Sequence, residues 1–134
     1  MIVRVLPNNQ SAINKRVLQY RKSAKKRDLP FALTAEQTVD LLRGDCDYCG
    51  AMPRATVRSY HSRFVCNGID RVDNARGYEP GNVVSCCKDC NLAKRALGRA
   101  EFLALVRRIV AHQRARSLPA PANDAQPSLF VQTG

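Results

Sequence analysis

Two Cys-x-x-Cys pairs, Cys46-Asp47-Tyr48-Cys49 and Cys87-Lys88-Asp89-Cys90, are the residues in this sequence best spaced for chemistry. A two-residue gap lets two thiolates of one tight turn occupy two corners of a tetrahedron, and Gly50 relieves crowding behind the first pair. Four soft ligands make a closed shell around a structural zinc ion, with no coordination position left for a substrate. Iron–sulfur ligation is the alternative for the same four thiolates. Cys86 competes with Cys87, but only Cys87 keeps the two-residue gap to Cys90. Cys66 and Cys86 read instead as small apolar strand residues. Zinc at Cys46, Cys49, Cys87 and Cys90 is expected to hold the fold and do no chemistry.

The chain needs such a staple. Its 134 residues have room for one domain plus tails, aromatics make up only 6%, and Trp is absent, so the apolar core is thin. Lys and Arg number 22 against 11 acids, a net charge of +11. A clustered surplus of this size fits a polyanionic partner, because each neutralised phosphate releases condensed counterions. No run of 18 apolar residues exists and the N-terminus lacks a signal-peptide pattern, so the expectation is a cytoplasmic protein without a membrane partner. Thiols stay reduced there, which again favours metal over disulfides.

The elements that must position these residues follow from periodicity and caps. Ile13, Val17, Tyr20 and Ala24 recur at helical spacing over about 11–27, and the other faces carry Lys15, Arg16, Arg21, Lys22, Lys25, Lys26 and Arg27 with no acid among them. A run so one-signed suits a phosphate backbone. Asp28-Leu29-Pro30 ends that helix. Thr34 with Gln37 forms a capping-box pattern for a second helix, stopped by Gly44, with Leu33, Val39, Leu41 and Leu42 as its buried residues. Residues 51–62 read as polar and irregular. Arg63 to Asp70 and Asn82 to Cys86 read as short strands joined through the turn-rich segment DNARGYEPG. A short helix follows from about Lys88. A longer one runs from about Arg99 to Arg114, with Phe102, Leu105, Val106, Ile109 and Val110 on its apolar face. From Ser117 on, the Pro- and Ala-rich sequence reads as a disordered tail.

The segment CNGIDRVDNARGYEPGNVVSCCKDCNLAKRALG resembles the HNH, or His-Me finger, endonucleases, and especially the small zinc-containing HNH proteins of phages and prophages. The resemblance covers about Cys46 to Gly98. It implies an α+β fold: a zinc-stapled ββα-metal (His-Me finger) core flanked by N- and C-terminal helices. The parts would be a basic N-terminal helical region (1–45), the zinc-bound core (46–98), a C-terminal amphipathic helix (99–116) and the tail (117–134). By position, Asp70 matches the family's first ligand of a catalytic divalent ion, Asn82 the Asn that pins the loop, and Asn91 the ligand on the helix. Lys94 matches a basic residue often found one turn further on. Carboxylate and amide oxygens suit Mg²⁺ or Mn²⁺. The implied setting is a bacterial or phage-infected cell and the implied partner is DNA, met by Lys15, Arg16, Lys22, Lys25, Lys26, Arg27, Lys94 and Arg95, with Arg99, Arg107 and Arg108 helping to position the duplex.

One departure matters. Arg71 stands where the family has its catalytic His, and an arginine is not a general base at neutral pH. The base then comes from Asp73 or His61, or metal-bound water reacts without one while Arg71 steadies the phosphate, or the site is inactive. Taken singly, Asp70 could equally pair with Arg71 or Arg76, and Asn82 and Asn91 could be turn and cap residues. The expected function is a metal-dependent endonuclease cutting DNA phosphodiesters, with a non-catalytic zinc-ribbon nucleic-acid-binding module as its rival. In the tail, Gln126-Pro127-Ser128-Leu129-Phe130 resembles the peptide by which bacterial proteins dock on the replication sliding clamp, with Gln126, Leu129 and Phe130 as its anchors.

Overall fold

A computed structural model describes residues 9–118. The clamp-like peptide at Gln126, Leu129 and Phe130 lies outside them, as does nearly all of the segment expected as a tail. The elements run α1 (Gln10–Lys26), α2 (Ala35–Arg43), β1 (Ala55–Ser59), β2 (Ser62–Cys66), β3 (Gly68–Arg71), β4 (Val83–Cys86), α3 (Lys88–Lys94) and α4 (Arg99–Ser117). The fold is α+β, with four helices and two separate antiparallel hairpins, β1–β2 and β3–β4, among the described residues.

α1 buries Ala12, Ile13, Val17 and Ala24, close to the stripe its period dictates, while Tyr20 is half-buried. Its end is set where Asp28 takes a left-handed φ of 57°. α2 starts on the capping box: Thr34 accepts from the Gln37 N–H at 3.0 Å and the Gln37 side chain accepts from the Thr34 N–H at 2.9 Å. Such a cap contributes about 1 kcal/mol. Gly44 does close α2, but at φ −76° rather than left-handed. Its lack of a side chain serves space instead, since a Cβ there would lie 2.5 Å from Ser85 Oγ.

Two strand expectations need correction. Residues 55–59, read as irregular, form β1, paired in register from Ala55 with Cys66 to Ser59 with Ser62. Most of its side chains are exposed, so it carries little hydrophobic pattern. The single strand expected from Arg63 to Asp70 is two strands of different hairpins, broken at buried Asn67. The Asn67 side chain donates to the carbonyls of Gly44 (2.9 Å) and Ala51 (3.1 Å), and its N–H donates to Leu42 O (2.8 Å). A strand cannot pair through a residue whose backbone is committed to the end of α2.

α1 and α2 pack on β2 and β3 over one core that includes Leu33, Leu42, Phe64, Ile69 and Tyr78. That unit ends at Gly98, and Arg99 begins a second one. Within the second, α4 buries Phe102 and half-buries Leu105, whereas Val106, Ile109 and Val110 are exposed, contrary to the apolar face expected of them. No helix among the described residues is long and apolar enough to cross a membrane.

Candidate active site and metal centre

All six cysteines are free thiols. The Sγ atoms of Cys46, Cys49, Cys87 and Cys90 lie within 4.8 Å of one another, with Cys49 and Cys87 3.7 Å apart. A tetrahedral site with Zn–S bonds of about 2.3 Å has edges of about 3.8 Å, so the cluster has the size and donor set for zinc. The first knuckle closes where the Gly50 N–H reaches Cys46 O at 2.8 Å, with Gly50 at a left-handed φ of 78°. The second is the start of α3, whose cap is Cys87 itself, its Sγ accepting from the Cys90 N–H at 3.4 Å.

Electrostatics agree with a cation site. Burial opposes ionisation of Cys46, yet N–H groups of Cys87, Cys49 and Tyr48 outweigh it and bring the thiol down to about 6. Burial, then crowding by the neighbouring sulfurs, pushes Cys90 up, and burial also raises Cys87. Four close thiols cannot all ionise without a cation to hold their charge together. Cys66 and Cys86, both buried in strands, stand outside the cluster, and burial raises each thiol.

β3, β4 and α3 form the ββα unit against this centre. Asn82, fully buried, accepts from the Asp73 N–H (2.9 Å) and donates to Asp73 O (3.0 Å) and Gly77 O (2.9 Å), tying both arms of the β3–β4 loop together. The loop also rests on the segment before α2, where Tyr78 N–H reaches Pro30 O and Ala32 N–H reaches Tyr78 O. Tyr20 fixes α1 to β3, its phenol oxygen accepting from the Ile69 N–H at 2.9 Å, and burial raises its pKa.

These ties assemble a cleft of about 610 Å³. It is lined by Asp70 and Arg71 from β3, Asn91 from α3 and Arg95 that caps it, Arg16 from α1 and Arg27 that caps it, with Asn74 and Tyr78 from the loop. Asp70 is buried, and Tyr48 donates to its Oδ2 at 2.8 Å. Its ionic partner is neither Arg71 nor Arg76 but Lys94, whose Nζ lies 3.3 Å from Oδ1 and 3.2 Å from Oδ2 and donates to Arg71 O at 3.1 Å. Lys94, expected on the nucleic-acid face, has no exposed surface, so that assignment is corrected. Helical spacing held part of the signal: Lys94 follows Cys90 by four on α3 and shares its inward face, whereas Arg95 closes the helix as its cap, at a left-handed φ of 54°, and lines the cleft.

Arg71 commits its Nη1 to the carbonyls of Asn74 and Arg76, both at 2.7 Å, and stacks 5.7 Å from the Tyr78 ring centre. Arg27 approaches the same ring and donates to the Tyr78 hydroxyl, while Arg16 lies 5.0 Å from the Tyr20 ring centre. The aromatic rings thus orient three of the four arginines that line the cleft. Lys15, Lys22, Lys25 and Lys26 are exposed on α1, with Lys15 donating to Arg58 O. Asp73 turns back to the Ala75 N–H, and His61 sits at the β1–β2 turn. Neither lines the cleft, so neither is placed to be its base.

No family model matches the chain. A 112-residue stretch is 34% identical to an uncharacterised protein of Acanthamoeba polyphaga mimivirus, over 79% of this chain and 19% of that protein. The chain thus spans about a fifth of the length of the curated relative it matches. Among solved structures, the rare-cutting HNH restriction endonuclease PacI, described for its mechanism of DNA perturbation, aligns over 85% of this chain and 92% of its own. The TM-score is 0.56 at 22% identity, a likeness of fold. The chain therefore has an HNH-endonuclease fold with a cysteine cluster able to bind zinc.

Proposed function

We propose that the protein is a metal-dependent endonuclease that hydrolyses DNA phosphodiesters, built on a structural zinc. The observation that carries this reading is the meeting, in one cleft, of Asp70 from β3 and Asn91 from α3 with Arg16, Arg27, Arg71 and Arg95 around them. The HNH fold, and the DNA cleavage for which its structural neighbour is named, support it.

Asp70 and Asn91 offer one carboxylate and one amide oxygen, a hard donor pair suited to Mg²⁺ or Mn²⁺ that leaves room for water and a phosphate. Bound there, such an ion would supply Lewis acidity at the scissile phosphate. The chain's own residues do the rest. Asn82 holds the loop, and through it the carbonyls that grip Arg71. Arg71, with Nη1 engaged, presents its remaining edge to a phosphate. Arg16, Arg27 and Arg95 surround the position where negative charge grows as the phosphate becomes five-coordinate, so their fixed charges stabilise that state more than the ground state. No His faces this cleft, so rate enhancement rests on charge and positioning rather than on a side-chain base.

The non-catalytic alternative is favoured by one feature, the arginine at position 71 in place of a base. Nicking of supercoiled plasmid with Mg²⁺ or Mn²⁺ separates the two readings, comparing wild type with Asn91→Ala and Asp70→Asn at equal zinc content. Asn91 is exposed, so its substitution leaves the fold intact. Metal-dependent nicking lost in both variants is the expected result. Tight DNA binding by all three proteins without cleavage under any divalent ion would make this a binding module.

A further inference from the structure

We propose that Lys94 is the resident counter-ion of Asp70, and that it makes the cleft take up a divalent ion together with a phosphodiester rather than ahead of it. This rests on the reading of Asp70 and Asn91 as the ion site. The Lys94 ammonium reaches both Asp70 oxygens and Arg71 O, so the carboxylate charge is balanced from behind while the side chain faces the cleft. Lys94 has no exposed surface, which denies it the easy swing into water open to a surface lysine. Tyr48 occupies a further acceptor position on Oδ2, leaving Oδ1 the less encumbered oxygen.

Around this neutralised pair stand Arg16, Arg27, Arg71 and Arg95, with Asp70 the only acid among the described residues that line the cleft. A dication meets one carboxylate already shared with an ammonium, one neutral amide and four guanidinium groups. Like charges at such range disfavour its binding. A phosphodiester reverses the balance, because its non-bridging oxygens carry the missing negative charge and are themselves hard ligands. Ion and DNA then bind with positive coupling, and by linkage each tightens the other by the same factor.

The test titrates Mn²⁺ into the zinc-loaded full chain, reading free Mn²⁺ by electron paramagnetic resonance. It is run with protein alone, with a short duplex alone, and with both. After subtraction of the duplex's own uptake, Mn²⁺ should bind about tenfold or more tightly when DNA is present. This increment should vanish in Asp70→Asn. Lys94→Met, which removes the resident charge at similar volume, should bind Mn²⁺ about tenfold more tightly than wild type without DNA, and Mn²⁺ should raise its Tm more. If Lys94→Met does not fold, the wild-type titrations decide alone. Equal Asp70-dependent affinity with and without DNA would overturn the coupling and leave the nuclease reading standing. Absence of any Asp70-dependent Mn²⁺ uptake in the DNA complex would overturn the ion site, and with it both readings.

Discussion

Replacing Asn82 tests whether its side-chain amide, rather than the chain's turn propensity, holds the β3–β4 loop. The amide makes three hydrogen bonds from a residue only 1% exposed. Asn82→Ala deletes all three. The Gly77 carbonyl loses its partner in a buried setting, a cost of about 1–3 kcal/mol, while the groups of exposed Asp73 regain water and cost about 0.5–1.5 kcal/mol each. The sum is roughly 2–6 kcal/mol, a large share of the ~5–15 kcal/mol that stabilises a typical domain. Asn82→Asp keeps the shape and the acceptor but sets a carboxylate oxygen where Nδ2 stood, at 3.0 and 2.9 Å from two carbonyl oxygens. Burying that charge among acceptors costs more than deleting the amide. Guanidinium denaturation of the zinc-loaded proteins, followed by far-ultraviolet circular dichroism, should therefore rank wild type above Asn82→Ala and Asn82→Asp lowest. An Asn82→Asp protein as stable as wild type would show that the amide does not donate to those carbonyls, and the argument for a pinned loop would fail.

Other expectations follow from the same contacts. Removing zinc with a chelator, or weakening its site with Cys87→Ser, should unfold the β4–α3 region, read as loss of ellipticity together with release of zinc to a chromogenic dye; an intact apo-protein spectrum would mean that the cluster is not the staple. Gly77→Ala places a Cβ 2.5 Å from Pro30 O and 2.7 Å from Pro30 Cδ, neither of which can rotate away, so stability should fall by about 1–3 kcal/mol in the same denaturation assay. DNA affinity should decline steeply with salt, and Arg16→Gln, Arg27→Gln or Arg95→Gln should each lower the log–log slope by about one; an unchanged slope would remove that arginine from the phosphate path.

How much of this was legible in the sequence depended on how local the signal was. The four-cysteine cluster was, because a Cys-x-x-Cys turn encodes its own geometry. So were α1, from the recurrence of Ile13, Val17 and Ala24, and the start of α2, where Thr34 and Gln37 satisfy each other within one turn. β1 was not, since its exposed face leaves little hydrophobic pattern and its identity comes from pairing with β2. The break at Asn67 was equally hidden, because the groups that claim its backbone and side chain lie in Leu42, Gly44 and Ala51.

The same division runs through the site. Residue types at positions 70, 82 and 91 were readable one by one, and they carry the resemblance to the HNH endonucleases. Tertiary structure decided what each one faces. Charge alone made Lys94 look like its basic neighbours, but α3 starts on the Cys87 cap and turns its Cys90–Lys94 face inward, so that ammonium meets Asp70. Arg95, one residue on, lines the cleft. Arg16 and Arg27 reach the same cleft because α1 is docked by its buried stripe and by ties such as that of Tyr20 to β3 across 49 residues of sequence. Composition determines that there is positive charge to place, but its placement depends on long-range packing, which no local spacing encodes.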